Sequence, residues 1–145
     1  MDTFIGILHV VGAVFVVGPM AILPQTGMRA IRSGDARSVR TLAKSTNIFT
    51  LISIVVAILG FGLVSLADPK YHLSFSTPWI LASIIIYVVA LALSLFLVVP
   101  ALRRAGERMS EADFNSASSY RRVAIGSGLV SLLLLAVVVL MVWKP

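Results

Sequence analysis

The apolar stretches of this chain contain one ionisable side chain other than tyrosine, His9. An imidazole at membrane depth can stay neutral and packed, satisfied by a nearby hydroxyl. It can also offer a ring nitrogen to iron or copper. An ionisable group inside a span is a functional candidate by default. His9 is thus the candidate cofactor-binding and metal residue, as a haem axial ligand or a copper ligand. On depth alone, Ser83 and Tyr87 are its expected hydrogen-bond partners and would form the second shell of such a site.

Further ligands are scarce. The chain has no cysteine, which removes disulfides, thiolate metal sites and thiol nucleophiles together. His72 lies in a separate segment and need not approach His9. Of Met20, Met28, Met109 and Met141, only Met20 shares the His9 face. It sits about three turns deeper, too far to hold the same ion. A bis-histidine haem within one chain is disfavoured, whereas a five-coordinate haem, or one shared across a dimer, remains open. No HExxH, paired-carboxylate or Ser/His/Asp constellation occurs, so no residue is assigned a catalytic role. Gly60-Phe61-Gly62 lacks the third glycine and the following basic residue of a phosphate-cradling loop.

Four long apolar runs must position these residues: roughly Phe4–Leu23, Ile48–Ala67, Trp79–Ala101 and Val123–Trp143. Each is about 20 residues, which at 1.5 Å per residue matches a hydrocarbon core of roughly 30 Å. With 59% hydrophobic and 12% charged residues, and a mean hydropathy of +1.01, the chain has too little polar surface for a soluble domain of its length. The runs also lack the polar–apolar alternation of barrel strands. The first run has no basic segment before it and no small-residue cleavage motif after it, so it reads as a retained span rather than a signal peptide. The expected fold is all-α: a four-helix transmembrane bundle forming one domain over residues 1–145.

Charge gives a direction. The segment after the first run holds Arg29, Arg32, Arg37, Arg40 and Lys44 against Asp35, and the segment after the third holds Arg103, Arg104, Arg108, Arg121 and Arg122. The other side has only Lys70 and Lys144. This asymmetry predicts cytoplasmic loops at 24–47 and 102–122, with both termini extracytoplasmic. Trp79 and Trp143 then fall at the outer boundary, where amphipathic rings prefer to sit, and Tyr71 and Tyr120 suit an interface as well. The net charge of +6 is explained by orientation, and nucleic-acid binding is not expected.

Pro24, Arg32 and Asp35 align with Pro100, Arg108 and Glu111 at one offset of 76, which suggests two repeated helical hairpins. Ser33-Gly34-Asp35 reads as a turn before a helical extension into the second span. Ser110-Glu111-Ala112-Asp113 reads as a helix start with acids in its first turn. Gly18-Pro19 can kink the first span. Each span also carries a small or weakly polar stripe: Gly6, His9, Gly12, Ala13 and Met20; Thr46, Thr50, Ser53, Ala57 and Gly60; Ser83, Tyr87, Ala90 and Ser94; Ala124, Ser127, Gly128 and Ser131. Small residues let helices approach closely in lipid, so these stripes predict the packing faces. No Asp, Glu, Lys or Arg lies within the runs, which argues against coupled transport.

The stretch from Leu8 through His9, Gly12, Gly18 and Pro19 to Leu23-Pro24 resembles the first span of a bacterial four-span family of predicted integral membrane proteins of unknown function. Thr77-Pro78-Trp79-Ile80 and Val99-Pro100-Ala101-Leu102 look like that family too. A broader likeness runs to CopD-type copper-resistance membrane domains and to HemJ-type porphyrinogen oxidases, whose first span carries a haem-linked histidine followed by Leu-Pro. His9 and Leu23-Pro24 match that spacing, so the resemblance implies haem ligation by His9. Gln25 and Val16 stand where the HemJ-type family has arginine and tryptophan, and the later spans lack its lysine.

The leading expectation is a non-enzymatic structural or accessory membrane protein, in contact with the lipid bilayer and packing in a homo-oligomer or larger membrane complex, without a cofactor. The alternative is a haem b- or copper-binding membrane protein using His9, related to porphyrinogen oxidation. A small transporter is the third reading.

Overall fold

In the computed structural model, residues 2–66, 77–109, 111 and 114–143 are described. They contain four helical spans of membrane-crossing length: Thr3–Ser33, Ala36–Leu66, Pro78–Arg108 and Ala117–Trp143. In lipid, a backbone without water must satisfy its own N–H and C=O groups, and a continuous helix does this within each segment. The all-α four-helix bundle expected from hydropathy is what forms, and no strand occurs among the described residues.

The spans are longer than the apolar runs. Most of 24–47, expected as a loop, is helix, because arginine, lysine, alanine and leucine are good helix formers. The break is confined to Gly34 and Asp35. Gly34 adopts φ 75°, which ends the first span in a left-handed cap. Asp35 then caps the second span by accepting bonds from the Ser38 N–H at 3.2 Å and the Ser38 hydroxyl at 2.6 Å. Those bonds hold the Asp35 carboxyl below the usual carboxylate range. The other basic turn differs. Glu111 pairs with Arg108 at 3.1 Å, and the fourth span starts at Ser116, with Asn115 accepting from the Ser118 N–H at 3.1 Å. The helix start expected at Ser110-Glu111-Ala112-Asp113 falls on residues of which Ser110, Ala112 and Asp113 lie outside the described ones, as do Tyr71 and His72.

The first and third spans each contain one π-helical segment, Ala13–Val17 and Ser94–Val98. In each, an N–H bonds the carbonyl five residues back: Gly18 to Ala13, and Val99 to Ser94. The cause is the proline that follows, Pro19 or Pro100. Proline has no N–H, and its ring clashes with the carbonyl four residues earlier. That carbonyl belongs to Phe15 or Phe96, the middle residue of the π segment, and the wider register moves it aside. The two π segments therefore correspond through Pro19 and Pro100 at an offset of 81, while the spans that hold them, Thr3–Ser33 and Pro78–Arg108, are offset by 75. Asp35 and Glu111, matched in sequence, do different work.

The first span packs along its whole length on the second, and its later half also packs on the fourth. The third span packs on the fourth before its π segment and mainly on the second after it. The core is gathered toward the basic end, around Met20, Ile31, Val39, Val98, Leu102 and Val123. Arg32 stacks over Tyr120 there, 4.7 Å from the ring centre, tying the first span to the fourth. The stripes expected on the second and third spans do face inward: Thr46, Thr50, Ser53, Ser83, Ala90 and Ser94 are buried. On the fourth span the seam is Val123, Ser127, Val130, Leu134 and Val137. Gly126, not Gly128, is its close-approach glycine. A Cβ on Gly126 would lie 2.9 Å from Val98, whereas one on Gly128 would meet nothing within 4 Å.

Candidate ligand site around His9

His9 lies on the first span, about four residues before the π segment, on the side facing the second span. Its Nδ1 is 2.9 Å from the carbonyl oxygen of Val56. A carbonyl only accepts, so Nδ1 carries the proton. In the neutral ring, a proton on Nδ1 leaves the lone pair on Nε2. Nε2 makes no hydrogen bond to any described residue.

Two glycines make this arrangement. A Cβ on Gly60 would lie 2.8 Å from Cε1 of His9 and 3.3 Å from Nδ1, so the ring rests against bare backbone. A Cβ on Gly12 would lie 2.8 Å from Cγ2 of Val56, so the same glycine step brings the Val56 carbonyl into reach. Gly6, one turn before His9, faces Leu63 at an ordinary contact distance of 3.8 Å for an added Cβ.

Ser83 and Tyr87 do not pair with His9. The Ser83 hydroxyl donates to the carbonyl of Trp79 in its own helix at 2.8 Å. The Tyr87 hydroxyl is 2.8 Å from the hydroxyl of Ser53. This part of the first span packs on the second span, and Tyr87 meets the second span at Ser53, not at His9. The partner that replaces them is a backbone carbonyl, which has no residue signature. Only the small side chains at Gly12 and Gly60 hint at it in the sequence.

Met20, on the His9 face, is fully buried in the core and well removed along the helix. Among the described residues, no group of three His, Cys, Asp or Glu side chains could hold a metal ion. Among the described residues, a copper ion would find no such cluster of ligands around His9. Haem brings four nitrogens of its own and asks the protein for a single axial donor. Among the described residues, the single imidazole is what that axial position asks for.

The remaining buried hydroxyls are spent on packing. Thr50 and Ser94 bridge the second and third spans at 3.0 Å, and Ser131 donates to the carbonyl of Ala21 at 3.2 Å. No buried side-chain nitrogen or oxygen is left without a partner among the described residues. These bonds tie helices to one another.

A family model described as Predicted integral membrane protein (DUF2269) matches residues 3–145. No curated protein and no solved structure matches the chain.

Proposed function

The chain belongs to the DUF2269 family of predicted integral membrane proteins, and from the geometry around His9 we propose that it is a haem-binding membrane protein with His9 as the axial ligand. One observation carries this reading: Nδ1 is tied to the Val56 carbonyl and Nε2 is left with its lone pair. Metal-bound histidines characteristically donate their other ring N–H to a carbonyl or carboxylate, which fixes the ring and raises its basicity. Here Gly60 supplies the room, and Val56 supplies the acceptor. Haem so held would give the span a one-electron redox centre. Visible spectroscopy of the chain, purified in mild detergent from haem-replete cells, tests the reading. A Soret band is expected, and a colourless preparation would overturn it.

A second reading is that the chain packs as an accessory subunit against a second copy or a larger membrane complex. It draws on the first span, of whose most apolar window only 6% is buried, against 28% for the third and fourth. Phe4, Ile7, Val10, Val14 and Phe15 all point outward there. Co-purification under mild detergent tests that reading.

For orientation we propose an inner-membrane protein with both basic ends cytoplasmic and both termini outside, on the charge asymmetry of the turns. Single cysteines introduced by Ser38→Cys and Ser74→Cys should be labelled differently in intact cells by an impermeant maleimide. Position 74 should react and position 38 should be spared. The reverse pattern would invert the topology.

A further inference from the structure

At the basic end, a cleft of about 250 Å³ opens between the third and fourth spans. Arg104, Arg108 and Arg122 line it, with Phe114, Ser118 and Ser119. Arg108 is engaged by Glu111 at 3.1 Å. Arg104 and Arg122 are both exposed and make no ion pair with a described acid. Two guanidinium groups from different helices thus converge on one small cleft with serine hydroxyls beside them. This is the chemistry that recognises a phosphate, since each guanidinium can grip two of its oxygens.

The place of the cleft says which phosphate. Arg122 is the last residue before the apolar part of the fourth span, where Val123 is fully buried. Arg104 follows the fully buried Leu102 by two residues on the third span. Both arginines therefore sit where apolar helix gives way to basic helix, at the level of lipid headgroups. Below Arg122, Ile125, Leu129 and Leu132 continue its outward face at helical spacing, and all three are exposed. A free anion would use only the arginines. A phospholipid would use the arginines for its headgroup and this apolar face for an acyl chain.

We propose that this cleft binds the headgroup phosphate of an anionic phospholipid, one molecule per chain. Basic pockets between helices at the cytoplasmic boundary select anionic headgroups on this principle. The site is separate from His9, which lies toward the other end of the bundle.

The test is native mass spectrometry of the full chain released from detergent. The chain is equilibrated in parallel with phosphatidylglycerol, with phosphatidylcholine of the same acyl chains, and with inorganic phosphate. The wild type should retain one phosphatidylglycerol with roughly tenfold preference over phosphatidylcholine. Arg104→Gln/Arg122→Gln should lose that preference. Arg37→Gln/Arg103→Gln removes the same charge outside the cleft and should keep it. Equal retention of the two lipids by the wild type would overturn the proposal. So would an equal loss in both double variants, which would mean diffuse attraction. Displacement of phosphatidylglycerol by millimolar phosphate would also overturn it, because the site would then serve a free anion.

Discussion

Haem retention should fall about 10–100-fold in Gly60→Leu, the range seen when the group that orients a metal-bound histidine is lost. The contact falls on the ring itself, with Nε2 3.5 Å from the added Cβ. The leucine Cβ alone would sit 2.8 Å from Cε1 of His9, closer than real side chains approach. The contact belongs to a ring pinned by its hydrogen bond to Val56, so the ring must leave that bond to escape. Without it, Nδ1–H is unpaired and the direction of Nε2 is no longer fixed. Gly62→Leu, two residues along the same helix, is the matched control, since a Cβ there meets nothing within 4 Å. Its haem content should equal that of the wild type. Wild-type haem content in Gly60→Leu would show that the ring does not depend on this glycine.

The largest loss of stability should come from Gly106→Leu, at the opposite end of the bundle. A Cβ on Gly106 would lie 2.5 Å from Cγ of Arg40 and 3.1 Å from its backbone nitrogen. Arg40 can swing its side chain away, but its backbone is part of the second span and cannot yield alone. The second and third spans must separate where the core is densest, beside Val39, Leu102 and Ala105. Overpacking of this kind costs about 3 kcal/mol, the upper end of the usual range. For a chain of this size, that is roughly a 10 °C fall in the unfolding temperature measured in detergent. Gly128→Leu adds the same volume where nothing lies within 4 Å, and should leave the unfolding temperature nearly unchanged. Equal effects of the two substitutions would mean that the close approach at Gly106 does not hold the bundle together.

Much of this architecture was readable from the residues, for physical reasons. A run of about 20 apolar residues has one way to satisfy its backbone in lipid, so each run had to be a helix. The Thr46, Thr50 and Ser53 face could be placed inward because small residues at helical spacing let helices approach closely in lipid. Their hydroxyls are satisfied there in part by their own helix, Thr46 donating to Leu42 and Thr50 to Thr46. The turn at Gly34 was legible because a glycine beside a capping aspartate has a specific geometric use.

Other features depend on register that composition does not carry. The π segments arise from where Pro19 and Pro100 fall relative to Phe15 and Phe96, which a helical wheel smooths over. The choice between Gly126 and Gly128 is a rotation of the fourth span by two residues, and its uniformly apolar surface gives little to orient it. His9 could be singled out by type and depth. Its partner could not, because the Val56 carbonyl is a property of the backbone and not of valine.

The central claim is that Nε2 of His9 is an electron-pair donor held ready for haem, and one comparison of visible spectra tests it most directly. Wild type, His9→Ala and Tyr87→Phe are purified in the same detergent from haem-replete cells. The wild type and Tyr87→Phe should show the same Soret band, since Tyr87 bonds Ser53 and not His9. His9→Ala should have lost it, and added imidazole should restore it by supplying the missing nitrogen. A colourless wild type, or a Soret band that survives unchanged in His9→Ala, would contradict the claim.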